Sequence, residues 1–259
     1  MLASITQVDP GVNRMPAQSV CNNSTDHEQL DSWSTRSASY SRAVNPAAGS
    51  GDIAEVLYDG PDRAVVVVAD VSGRGPAAAR VARYLRNVVD ALRRDPSPSS
   101  ILKRVNRTLV RHLADGSSSE RFASMFLGCL HDGALTYASA GHDCALLFDG
   151  RGRVRHHLGS TGLLLGVQSM QWCREITLEV AAGDSLVLAT DGVTDARDQH
   201  GRFFGTRGVA LSAVHSMADG SEDVAKVILD AALQHAGGLL EDDASVLHVK
   251  FSVHVRNHT

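Results

Sequence analysis

The stretch Ala64 to Gly75, AVVVVADVSGRG, decides how this chain is read. Four consecutive valines do not alternate with polar residues, so a strand built from them is buried on both faces. The run ends on Asp70, and a carboxylate at the end of a buried strand is costly unless it meets a partner. Gly73 and Gly75 mark a turn immediately after it. Beyond the turn, Val81, Leu85, Val88 and Leu92 recur at helical spacing, with arginines on the other faces. A buried strand, an acidic end, a glycine turn and an amphipathic helix therefore follow one another directly.

The bulk composition narrows the classes. The chain has 259 residues, 43% of them hydrophobic, which is enough for a sizeable core. With 25 basic and 29 acidic residues the net charge is -4, so there is no global basic field for nucleic acid or an anionic membrane. An anionic substrate would need a local site. Cys21, Cys129, Cys144 and Cys173 are scattered, with no CxxC pair and no zinc-type spacing, which fits a reducing compartment. The N-terminus lacks the basic start and apolar core of a signal peptide, and no apolar run approaches the roughly 18 residues a membrane span needs. The expectation is a cytoplasmic protein with no nucleic-acid or membrane partner.

Residues 1–43 are rich in Ser, Asn, Thr and Gln without a sustained apolar period and are expected to be a flexible polar tail. Residues 44–252 read as one domain, and residues 253–259 as a C-terminal tail. Strand-like runs lie at 53–58, 64–69, 124–130, 135–139, 145–148, 175–180, 185–189 and 245–251. The turns HDGA after Leu130 and DGRGR after Phe148 are hairpin chemistry, so their strands should pair antiparallel. Besides the helix after GRGP, a second begins near Pro98, and a third runs from about Glu222 to Ala236, capped by Ser221 and stopped by Gly237 and Gly238. Antiparallel strands with segregated helices make an α+β fold.

Several acids share one address, the junction of an apolar strand with a turn: Asp52 in GSGD, Asp70, Asp191 in LVLATDG, and Asp242 with Asp243 in EDDAS. An aspartate beside a glycine often only closes a turn on its own backbone. Strand ends from distant sequence can also converge on one sheet edge, and oxygen ligands without His or Cys pairs suit a hard cation, Mg²⁺ or Mn²⁺.

The segments PAAGSGD, ADVSGRGPAAA, FASMFLGCL, YASAGHD, GLLLG, GDSLVLATDGVTDARD and EDDASVLHV, in this order, resemble the PPM-type metal-dependent serine/threonine phosphatases, specifically the bacterial SpoIIE and RsbU branch. The resemblance implies a central antiparallel β-sandwich flanked by helices, with two Mn²⁺ or Mg²⁺ ions at one edge. It implies that Asp70 bridges both ions, that the Val71 carbonyl and Asp52 ligate one, and that Asp191 and Asp242 ligate the other. Asp243 stays open as the alternative to Asp242, and Asp195 as a ligand to a further, weaker ion. The implied reaction is in-line attack of an activated water on phosphorus, with Asp70 and Asp191 essential and no cysteine nucleophile. The implied partner is a phosphoprotein, in this branch a STAS-type anti-anti-sigma factor.

Three positions depart from the pattern. GSGDIAEVL keeps Asp52 without its usual neighbours, Arg74 stands where His or Lys is commoner and is a candidate phosphate ligand, and AGHD places Asp143 after His142. His142 is a candidate general acid, or else a ring that ties down its turn. His156 and His157 read as surface residues and Trp172 as packing. The competing readings are a pseudophosphatase that grips a phosphoprotein without turnover, and a receiver-type phosphoacceptor. Dominant hairpins and an acidic pair that comes last in the chain set the receiver aside.

Overall fold

The structure, a computed structural model, describes residues 6–8, 32–44, 49–60, 63–114, 122–170, 172–221 and 223–254. Asp52–Tyr58 (β3), Arg63–Val71 (β4), Ala123–His131 (β5), Ala134–Ala140 (β6) and Ile176–Glu179 (β9) form a five-stranded sheet in the order β3-β4-β5-β6-β9. Thr6–Val8 (β1), Ser32–Arg42 (β2), Ala145–Phe148 (β7), Val154–His157 (β8), Ser185–Ala189 (β10) and Ala244–His254 (β11) form a second, in the order β1-β2-β11-β10-β7-β8. Every pairing within the two sheets is antiparallel.

The valine run explains the layering. Val65, Val67, Ala69 and Val71 enter a core shared with the helices Pro76–Leu92 (α1) and Pro98–Ala114 (α2). Ala64, Val66 and Val68 enter a different core, between the two sheets, where they meet Leu186, Leu188, Leu247 and Val249. Because side chains alternate along a strand, a run buried on both faces must be apolar at every position. A third core lies on the outer face of the six-stranded sheet, under Gly205–Ala218 (α4) and Val224–His235 (α5). The chain is thus an α-β-β-α sandwich, as the α+β expectation has it.

Four points differ from these expectations. The polar tail assigned to residues 1–43 includes β2, which pairs with β11 from Ala244↔Arg42 to His254↔Ser32. Its many Ser residues carry no sustained apolar period, so the ladder of backbone hydrogen bonds, with Tyr40 buried and Ala38 packed in the core under α4 and α5, places it. The C-terminal tail likewise begins later than residue 253, since β11 runs to His254, and residues 255–259 lie outside the described residues. The helix α4, with Gly205 and Gly208 in its first turn, was not among the predicted elements. Trp172 is 74% exposed, with Lys103 Nζ 5.5 Å from its ring centre, and does not pack into a core.

Candidate metal centre

Asp70 continues the parity of Ala64, Val66 and Val68, so its side chain leaves β4 on the side of the second sheet, where the inter-sheet core ends. Its direct cross-strand partner is Asp52, the first residue of β3. Like charges placed opposite one another destabilise a sheet. Both carboxyls are held above the ordinary range. For Asp52 the first cause is burial and the second is Asp70; for Asp70, pushed up to about 6, burial comes first and Asp191 second.

Asp52 is fixed from the other sheet. Thr190 follows β10 and donates its Oγ1 hydroxyl to Asp52 Oδ2 at 2.8 Å, while the Ser245 amide on β11 donates to Thr190 Oγ1 at 2.9 Å. The other oxygen, Asp52 Oδ1, is buried with no hydrogen-bond partner among the described residues. A Cβ on Gly51 would lie 3.1 Å from the Val71 carbonyl oxygen and 3.7 Å from Asp70 Oδ1, so that bare backbone keeps open a space bordered by these oxygens. A buried, unpartnered carboxylate oxygen beside a carbonyl and a second carboxylate is the donor set of a hard cation, and these residues fit one.

Asp191 comes from the six-stranded sheet, as the first residue of the short helix Asp191–Thr194 (α3) after β10. Burial raises its pKa, and Asp242 and Asp195 raise it further. Gly192 lies tight against the β11 loop: a Cβ there would fall 2.0 Å from the Asp243 carbonyl oxygen, so only glycine lets the two segments meet. Asp243 has both oxygens committed, accepting from the Val44 amide at 2.8 Å and the Gly51 amide at 3.0 Å. Asp242 takes a bidentate contact from Arg74, Nε to Oδ1 at 3.1 Å and Nη2 to Oδ2 at 2.9 Å. Among the described residues, no three His, Cys, Asp or Glu side chains are drawn into a closed ligand set. The Arg74 contact holds Asp242.

Asp70, Asp191, Asp143 and Asp195 line a pocket of about 400 Å³, and among the described residues no Lys or Arg lines it. His142 also lines it, but its ring is buried, with Nε2 3.3 Å from the Cys144 carbonyl, and burial lowers its pKa to about 4. This contact ties the ring to its own turn, the second of the two readings its sequence position allows. Burial also pushes the thiols of Cys129 and Cys144 up to about 11, which rules out a ready thiolate at either position. Thr190 is the site residue that sequence reasoning missed. It adjoins the predicted acid Asp191, but a neighbour in sequence does not reveal a contact across two sheets.

An α-β-β-α sandwich with carboxylates gathered from both sheets at one end of the interface has the architecture of the PPM-type phosphatases. The chain belongs to the Stage II sporulation protein E (SpoIIE) family, whose profile matches residues 60–252. It is 26% identical over 207 residues to the phosphoserine phosphatase RsbU of Bacillus subtilis, an alignment covering 79% of this chain and 60% of that protein. The match thus spans under two thirds of that relative. Among solved structures, the RsbU and RsbW domains of Rv1364c from Mycobacterium tuberculosis align with a TM-score of 0.69 at 24% identity, covering 87% of this chain and 63% of that one. The SiaA-PP2C domain of Pseudomonas aeruginosa aligns with a TM-score of 0.68 at 19% identity, covering 83% and 85%.

Proposed function

We propose that this chain is a metal-dependent protein phosphatase that hydrolyses phosphoserine or phosphothreonine. The observation that carries this reading is the facing, half-buried pair Asp52 and Asp70, with Asp52 Oδ1 buried and, among the described residues, unpartnered. A pocket lined by four aspartates and, among the described residues, by no Lys or Arg repels a phosphate dianion, so it suits one only when cations compensate it. Asp70, together with Asp52, the Val71 carbonyl, Asp191 and Asp242, would hold the cations. Asp242 is preferred to Asp243 because the Asp243 oxygens serve backbone amides inside the fold, whereas the Arg74 side chain that holds Asp242 is exposed and exchangeable. Two divalent ions held there supply a water of lowered pKa and charge neutralisation for in-line displacement at phosphorus.

The residues themselves do three things. Thr190 orients Asp52, the bare backbone at Gly51 keeps the space beside Asp70 open, and the exposed Arg74 guanidinium offers a planar fork suited to phosphate. The proposed substrate, by kinship with RsbU, is a phosphorylated regulatory protein of the STAS anti-anti-sigma type in a partner-switching pathway. The test is hydrolysis of an aryl phosphate and a phosphoserine peptide with excess Mn²⁺. Activity should vanish in EDTA and fall by more than about 100-fold in Asp70→Asn and Asp191→Asn, beyond what an outer-shell change costs. Absence of hydrolysis on every such substrate would leave a phosphoprotein-binding module.

A further inference from the structure

The Arg74 contact has consequences beyond this reading, although it rests on it. Arg74 sits in the loop between β4 and α1, flanked by Gly73 at φ 96° and Gly75 at φ 77°. Its Nε and Nη2 engage the two Asp242 oxygens separately, and Oδ1 also accepts the Asp243 amide at 2.9 Å. Asp242 thus has both oxygens occupied, and the occupying group belongs to the loop that carries the Val71 carbonyl. The pair is open to water, with side-chain exposures of 62% and 44%, so it is readily exchanged. A guanidinium fork matches a carboxylate and a phosphate equally well, but it cannot hold both at once.

We infer that Arg74 is a latch: a divalent cation must displace it from Asp242, and the guanidinium so released is the group that clamps the phosphate monoester. Cation and phosphate then favour one another's binding through a single side chain, and the coupling is reciprocal. Lysine in this place would supply charge without the fork, so it would neither close on Asp242 in the same way nor hold phosphate bidentately.

Mn²⁺ binding to the full chain, read by calorimetry and by the spin resonance of free Mn²⁺, tests this without any turnover. Arg74→Gln and Arg74→Lys should both tighten the weaker Mn²⁺ event by about two- to fivefold, the range an exposed ion pair can shift an equilibrium. In the Mn²⁺-loaded protein both variants should bind inorganic phosphate more weakly than the wild type. Unchanged or weaker Mn²⁺ binding in Arg74→Gln overturns the latch. So does tightening in Arg74→Gln but not in Arg74→Lys, because removal of a distant charge would then account for it. If neither wild type nor variants bind Mn²⁺, the metal-centre reading itself falls.

Discussion

Replacing Asp52 by Asn removes a charge that the fold holds buried opposite Asp70 while keeping an acceptor for Thr190. In EDTA the variant should be more stable than the wild type by on the order of 1 kcal/mol, with the gain growing with pH. The sign follows from the raised carboxyls: Asp70 is pushed up to about 6 from 3.8, so the native protein holds its proton more tightly than the unfolded chain. Metal-free stability is therefore lost as pH rises from about 4 through 6. In urea melts with EDTA, Asp52→Asn should flatten that loss; an unchanged slope would count against the paired-acid description. The acids themselves were legible in the sequence, because each ends an apolar run. Their division of labour was not: Asp242 and Asp243 are adjacent, and only the positions of the Val44 and Gly51 amides and of Arg74 separate their roles.

At the level of elements, β4 was the most readable, since a strand buried on both faces must show an unbroken apolar run. Val67, fully buried against α1 and α2, should cost about 2 kcal/mol when cut to Ala, seen as a lower urea midpoint with unchanged slope. β2 was unreadable for the converse reason, being held by its ladder to β11. Deleting residues 1–43 removes it and bares an eleven-residue edge of β11, so the truncated chain should self-associate in size-exclusion chromatography. β11 also holds His248, buried with Nε2 unpartnered and its pKa lowered by burial to about 4 from 6.5. The unfolded chain then binds more protons between those values, so stability is full above pH 6.5 and falls as pH drops toward 4. His248→Leu should remove up to about 3 kcal/mol of that acid-side loss, as measured by denaturant midpoints across this range.

For the molecule as a whole, the α+β class followed from short hairpin turns, whereas the assignment of strands to sheets did not. The consecutive strands β9 and β10 lie in different sheets, a choice made by the cores they fill. The proposed ligands divide the same way, Asp52 and Asp70 on the five-stranded sheet, Asp191 and Asp242 at the ends of strands in the six-stranded one. A cation between them should therefore stabilise the sandwich as a unit. At a hundredfold excess over Kd, Mn²⁺ should add about 2.7 kcal/mol and slow amide exchange in both sheets together; protection confined to one sheet would contradict the shared centre. The interleaving also bears on how the centre assembles. Since the β7–β8 hairpin of one sheet lies in sequence between β6 and β9 of the other, the shortest stretch of chain that spans the five-stranded sheet also carries two strands of its partner. That stretch holds Asp52 and Asp70 but neither Asp191 nor Asp242, so the proposed centre is complete only when both parts of the chain have folded together.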